Sequence, residues 1–235
     1  MSNVAGATTS REEEIAFLAL EQVLGVDIKL ADAGAGNKKP DGSWLYPDEP
    51  RRQGIVEVTS PPAASLMREW ARAKKEGRPQ IESGSIALRW NELAQVCAEM
   101  FAEEWAHENL DKLLAHPADE RHLFLFSRGH TGGGHYFYRL SDSYADGSNE
   151  RVDDLVLPHG ISDVWFRGRA QRDIDQPLGS TELWLARFQT GLGWHRYVVR
   201  IEERQLPSPN PRIADDDVPA GWRLLKDRSI KPAES

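Results

Sequence analysis

The segment from Gly54 to Thr59 (GIVEVT) constrains the fold most, because it is a strand pattern with a charged residue inside it. β-Branched residues favour strands, and alternation places Ile55, Glu57 and Thr59 on one face. Glu57 interrupts an otherwise apolar run, which is costly unless its carboxylate is exposed or coordinated. A fold that buries this strand must therefore expose Glu57 or provide a group that coordinates it.

The rest of the chain alternates between helix and strand patterns. Ser10 and Glu13 fit a capping box, and Gly25 stands where the first helix should end. The other patterns predict strands at 26–30, 41–46, 54–59, 86–90, 123–126, 136–140, 164–167, 183–188 and 194–201, and helices at 63–76 and from Asn91 to about Ala115. The strand at 136–140 is expected to form a hairpin with 123–126 through the glycine-rich segment 129–134. This order predicts an α/β or α+β fold with a central mixed β-sheet flanked by helices.

The composition indicates a globular protein without disulfide bonds. One cysteine in 235 residues excludes a disulfide framework and a cysteine-rich zinc module. We expect a single domain over residues 1–206 and a weakly ordered tail over 207–235, which is rich in proline and acidic residues. The sequence has no apolar run of membrane-spanning length and no visible signal peptide, which predicts a cytoplasmic protein without a membrane partner.

The net charge of −8 excludes a general nucleic-acid coat protein, which would be basic. It does not exclude a nuclease whose positive charge is local. Arg167, Arg169 and Arg172 lie in a stretch without acidic residues, so they are candidates for nucleic-acid binding. The alternative interpretation is an ordinary solvated face.

Asp41 and Glu57 are the candidate catalytic carboxylates. Asp41 follows Pro40 near the start of one strand, and Glu57 lies 16 residues later in the next strand. Two such carboxylates on neighbouring strands can converge and bind a hard cation such as Mg²⁺ or Mn²⁺. That cation would neutralise a phosphodiester and lower the pKa of a bound water. The alternative is that Asp41 lies in a turn and Glu57 faces solvent.

Residues 11–60, with Pro40-Asp41 and Glu57-Val58-Thr59, resemble the restriction-endonuclease-like superfamily, whose motif is written PD-(D/E)XK. The resemblance implies a restriction-endonuclease-like sheet and metal-dependent hydrolysis of phosphodiester bonds in DNA or RNA. It implies Asp41 and Glu57 as catalytic metal ligands, and Glu14 on the first helix as a third ligand, with Glu21 in reserve. The lysine position of the motif holds Thr59 here, so the water-activating role would fall to Thr59 or to a nearby lysine, Lys29, Lys38 or Lys39.

Two other function classes stay open. One is a catalytically inactive interaction protein on the same fold, and the other is an α+β binding domain with no nucleic-acid role. A lysine amine within hydrogen-bond reach of Asp41 and Glu57 favours the enzyme over the inactive protein. Failure of the two carboxylates to converge favours the unrelated domain.

The remaining reactive residues are expected to be structural. His130 and His135 flank a glycine-rich segment without a recognisable third metal ligand. Trp165 is expected in the core, with base stacking as the alternative. Cys97 is expected to be a buried hydrophobe within the apolar stripe of Leu93, Val96, Met100 and Phe101.

Overall fold

The computed structural model describes residues 10–31, 39–62, 64–79, 89, 92–127, 134–142, 152–172 and 180–202, without the side chains of 64–67, 142, 169, 171 and 172. These residues form five helices, α1 (Arg11–Leu24), α2 (Ala64–Lys75), α3 (Leu93–Phe101), α4 (Glu104–Leu114) and α5 (Gly134–Asp142). They also form seven strands, β1 (Lys29–Leu30), β2 (Gly42–Leu45), β3 (Gln53–Thr59), β4 (Glu120–Leu125), β5 (Asp163–Arg172), β6 (Ser180–Gln189) and β7 (Gly193–Glu202).

The seven strands form one mixed sheet in which spatial order follows chain order. Strands β1, β2 and β3 are antiparallel neighbours, and β5, β6 and β7 are too. Between them, β3, β4 and β5 run parallel. The predicted α/β class, with a central mixed sheet flanked by helices, is confirmed.

The two faces of the sheet bury separate apolar cores. On one face, α1 packs through Phe17 and neighbouring residues against Val56, Phe124 and Trp165, which confirms Trp165 as a core residue. On the other face, α3, α4 and α5 pack against Ile55, Leu123 and Phe166. Adjacent strand residues point to opposite faces, so Glu57 shares the α3–α5 face with Ile55.

The ends of α1 follow the sequence prediction. Ser10 and Glu13 form the reciprocal capping box, and Gly25 adopts a left-handed conformation with φ of 67°. Glu21 is buried, and its Oε1 accepts a hydrogen bond of 2.8 Å from the backbone N–H of Ile28. Glu21, the second candidate for the third metal ligand, therefore stabilises the turn after α1. The strand expected over 26–30 is confined to Lys29–Leu30.

The long helix predicted from Asn91 to Ala115 is wrong, because the chain breaks it into α3 and α4. Glu103 takes an extended conformation, with φ of −76° and ψ of 151°, and begins the second helix. A straight helix would continue the buried stripe of Met100 and Phe101 through Glu104, His107 and Asp111, all of which are polar. The break lets α4 bury Ala106, Leu110 and Leu113 instead.

The predicted hairpin after β4 is also wrong, because residues 134–142 form helix α5. Strands β4 and β5 are parallel, and parallel neighbours need a crossover connection, which is usually a helix. Phe137 and Leu140, three residues apart, point into the core from α5.

Several predictions concern residues outside the described ranges. These are the candidate Lys38, the strand at 86–90 apart from Arg89, His130, and the tail over 207–235. Within the described part of the chain, no helix is both long and apolar enough to cross a membrane.

Candidate functional site

The β2–β3 hairpin brings Asp41 next to the strand that carries Glu57. Gly42 pairs with Val56 at the end of this antiparallel ladder, so Asp41 and Glu57 are the residues just beyond its last pair. The Oδ2 atom of Asp41 accepts a hydrogen bond of 2.7 Å from the backbone N–H of Val58. Asp41 is half-buried at a bend just before β2, and its carboxylate is fixed beside the residue that follows Glu57.

Glu57 is a buried carboxylate with a lysine against it. Its side chain is 3% exposed, and the Lys112 Nζ of α4 donates to its Oε1 at 2.5 Å. Lys112 is 29% exposed, so its amine reaches the carboxylate from the edge of the core. The interpretation of Glu57 as a solvent-facing strand residue is wrong.

Three other predicted site residues have separate positions. Thr59 ends β3 half-buried on the Glu57 face, and its carbonyl accepts from the backbone N–H of Phe126. Lys39 is exposed at the start of the segment that leads into β2. Glu14 is buried in the first turns of α1.

Within the described ranges, no group of three or more His, Cys, Asp or Glu side chains is placed to hold a metal ion. The structure therefore does not gather Glu14, Asp41 and Glu57 into a three-carboxylate centre. Mg²⁺ is usually bound by one or two carboxylates together with water and substrate phosphate, rather than by a cage of protein ligands. The chemistry of Asp41 and Glu57 fits that smaller requirement, with Lys112 as an adjacent cation.

Arg167 forms an ion pair with an acidic side chain of α1. Its guanidinium pairs with Glu12 of α1 and lies 5.2 Å from the centroid of the Phe126 ring. The charge of Arg167 is thus offset by a carboxylate, which reduces its attraction for phosphate. The backbones of Arg169 and Arg172 continue β5, while their side chains lie outside the described set.

Cys97 is fully buried, as expected, and burial raises the pKa of its thiol to about 12. The thiolate is the reactive form of cysteine, so this residue is inert at neutral pH. Leu93, Val96, Met100 and Phe101 are buried with it, which confirms the predicted apolar stripe.

Lys112 is the functional candidate that the sequence analysis missed. It lies 55 residues after Glu57, between the buried Leu110 and Leu113 of α4. On a helix with buried positions at 106, 110 and 113, residue 112 stands beside the apolar stripe rather than opposite it. That position marks a side chain that can reach a neighbouring strand, but no local pattern identifies which strand residue it meets.

Comparisons with known proteins add no assignment: no family model, no curated protein and no solved structure matches this chain.

Proposed function

We propose that this protein is a metal-dependent phosphodiesterase that hydrolyses nucleic acid, with Asp41 and Glu57 as ligands of Mg²⁺ or Mn²⁺. The observation that carries the proposal is the Lys112 ammonium, which contacts Glu57 where the hairpin register brings Asp41 alongside. Two carboxylates and one amine are the groups that the PD-(D/E)XK resemblance requires. Here the amine comes from α4 instead of position 59.

Each residue has a definite part in the proposed chemistry. Asp41 and Glu57 supply hard oxygen ligands, and their strands fix them before substrate arrives. When bound, the metal ion lowers the pKa of a water and offsets the charge of the phosphate. With metal and substrate bound, Lys112 would donate a hydrogen bond to the attacking water or to a phosphate oxygen. The Thr59 hydroxyl, on the same face of β3, would be a second donor.

The proposed partner is DNA or RNA, and the proposed location is the cytoplasm. For both, the support is the sequence resemblance and composition. A catalytically inactive interaction protein on the same fold is the competing function, favoured by Thr59 at the lysine position of the motif.

The test is cleavage of labelled single- and double-stranded DNA and RNA with Mg²⁺, with Mn²⁺ and with EDTA. Wild-type protein should cleave at least one substrate with metal and none with EDTA. Asp41→Asn, Glu57→Gln and Lys112→Met should each lower the rate by about 100-fold or more, the scale of loss expected for a positioned catalytic group.

Asp48→Asn is the matched control, because Asp48 is exposed in the turn of the same hairpin. This variant should cleave at the wild-type rate. Circular dichroism of every variant separates lost chemistry from lost folding. Cleavage that persists in Asp41→Asn and Glu57→Gln would contradict the assignment of the site. Metal binding without cleavage of any substrate would favour the inactive interaction protein.

A further inference from the structure

The ion pair between Lys112 and Glu57 occupies one of the two carboxylate oxygens that a metal ion could use. Lys112 Nζ lies 2.5 Å from Glu57 Oε1, whereas Mg²⁺ binds carboxylate oxygens at about 2.0 to 2.1 Å. An ammonium at that distance and a divalent ion on the same oxygen would be two cations less than about 5 Å apart. Little water separates them, because the Glu57 side chain is 3% exposed, so their repulsion is weakly screened.

The two partners differ in their freedom to move. Glu57 belongs to a central strand paired on both sides, by β2 and by β4. Lys112 is 29% exposed and has a flexible four-carbon stem. When a divalent ion binds, the lysine amine is therefore the group that moves.

We propose that the Lys112 ammonium occupies the Glu57 carboxylate in the metal-free protein and that a divalent metal must displace it. This lysine therefore sets the metal affinity of the site. The inference rests on the proposed function, since it concerns the same two carboxylates. The lysine keeps the buried carboxylate compensated in the metal-free protein, where an unpaired charge would be strongly destabilising. It also raises the metal concentration at which the site fills, which makes the activity responsive to metal supply.

One test follows the amine in wild-type protein. The protein is acetylated with a limiting amount of an amine-reactive ester, with and without Mn²⁺, and the modified lysines are quantified by mass spectrometry. Saturating Mn²⁺ should increase acetylation of Lys112 severalfold, because its amine leaves Glu57 Oε1 and is no longer held in the ion pair. Lys74 and Lys75, which are exposed on α2, should be acetylated equally in both states.

A second test measures Mn²⁺ affinity by calorimetric titration of wild type, Lys112→Gln and Lys112→Arg. Lys112→Gln removes the competing charge, so its Kd should fall by about tenfold, the change that corresponds to about 1.4 kcal/mol. Lys112→Arg keeps a cation and should bind within about threefold of wild type. Lys74→Gln is the control for loss of a surface charge and should match wild type.

The outcomes separate this inference from the proposed function. The displacement is contradicted if Lys112→Gln has a Kd equal to or higher than that of wild type. It is also contradicted if Mn²⁺ does not change the acetylation of Lys112. Neither result contradicts the metal site itself. Displacement without cleavage of any nucleic acid supports the inference while the phosphodiesterase fails. Absence of Mn²⁺ binding in wild type and in Lys112→Gln contradicts both. Lys112→Arg and the acetylation test remain decisive if Lys112→Gln does not fold.

Discussion

His122 is held in one tautomer inside the α1-side core. It is fully buried, and its Nδ1 accepts a hydrogen bond of 3.0 Å from the Trp165 indole N–H. A nitrogen that accepts this hydrogen bond carries no proton, so the contact leaves a ring hydrogen on Nε2. That hydrogen faces two carboxylate oxygens, Glu120 Oε2 at 3.3 Å and Asp163 Oδ2 at 3.4 Å.

Two arginines balance the two carboxylates that His122 bridges. Arg187 donates from Nε to Asp163 Oδ1 at 2.7 Å, and Arg52 pairs with the other carboxylate, Glu120. The two arginines and the two carboxylates therefore carry equal numbers of positive and negative charges. Burial of such a network is tolerated only when its groups are paired in this way.

Glu120 should make the stability of the protein depend on acid pH. Burial raises the pKa of Glu120, but hydrogen bonds from His122, Tyr46 and Arg52 outweigh that effect and lower it from 4.5 to about 2. A depressed carboxylate pKa adds stability that is complete above 4.5 and is lost as the pH falls toward 2. The free energy of unfolding should decrease by about 3 kcal/mol across that interval, at about 1.4 kcal/mol per pKa unit.

Urea unfolding at a series of pH values measures this dependence. Glu120→Gln should be less stable than wild type at pH 6 and should show a flatter slope between pH 4.5 and 2. Asp48→Asn is the matched control, because Asp48 is exposed in the nearby hairpin turn and its loss should leave the slope unchanged. A Glu120→Gln slope identical to that of wild type would show that this carboxylate does not carry the effect.

The sequence singled out the two candidate carboxylates, Asp41 and Glu57, but not the lysine that pairs with Glu57. Glu57 was identifiable because one acid interrupts a β-branched run, and Asp41 because Pro40-Asp41 precedes that strand. Lys112 was not identifiable, because the contact depends on how α4 crosses β3. Tertiary packing of distant elements leaves no periodic trace in either segment.

At the level of elements, the apolar residues between 93 and 113 indicate two helices, although we predicted one. The apolar residues of 93–101 and those of 106–113 are out of phase on a single helix, which signals the break at Glu103. Helix α5 was harder to predict, because its start (HYFYRL) is rich in aromatic residues that also favour strands. There the parallel pairing of β4 and β5 overrode the local preference.

Gly168 permits the close packing of α5 on β5. A Cβ at this position would lie 1.6 Å from Ser141 Oγ, 2.4 Å from Ser141 Cβ and 3.0 Å from the Phe137 carbonyl oxygen. Gly168→Ala should therefore push α5 away from the sheet and lower the free energy of unfolding by about 1 to 3 kcal/mol, the usual cost of overpacking. Urea unfolding of the variant measures this loss.

A double variant distinguishes a clash from a general effect of alanine in a strand. Ser141→Gly removes both of the nearest atoms, so it should recover part of the stability that Gly168→Ala loses. Strictly additive losses in Gly168→Ala/Ser141→Gly would contradict a direct clash between α5 and β5.

Across the whole molecule, opposite ends of the same strands serve different purposes. Gly54 of β3 pairs with Glu120 of β4, at the end that contains the His122 network. Glu57 pairs with Leu123 and Thr59 with Leu125, toward the end that contains Asp41 and Lys112. The charge-balanced network thus anchors the N-terminal ends of β4 and β5, while the candidate site lies toward the C-terminal end of β3.

Because of this arrangement, we expect the amides of β4 to be the most protected from hydrogen exchange among the seven described strands. It is the fourth of seven strands, with parallel neighbours on both sides, and Leu123, Phe124 and Leu125 are fully buried against the two cores. Their amides should exchange with deuterium only when the whole domain unfolds. By contrast, β1 is a two-residue edge strand with both residues exposed, so its amide hydrogens should exchange through local opening.

Hydrogen exchange followed by mass spectrometry or NMR tests this hierarchy. The amides of β4 should exchange at least about 1,000-fold more slowly than those of Lys29 and Leu30, a ratio that corresponds to about 4 kcal/mol of opening free energy. Low urea should accelerate exchange in β4 with the dependence of global unfolding and leave β1 nearly unaffected, because local opening exposes little surface. Equal rates in the two strands would contradict a sheet centred on β4. They would also contradict the rigidity of its neighbour β3, which carries Glu57 and is the reason that Lys112 should be the group that moves.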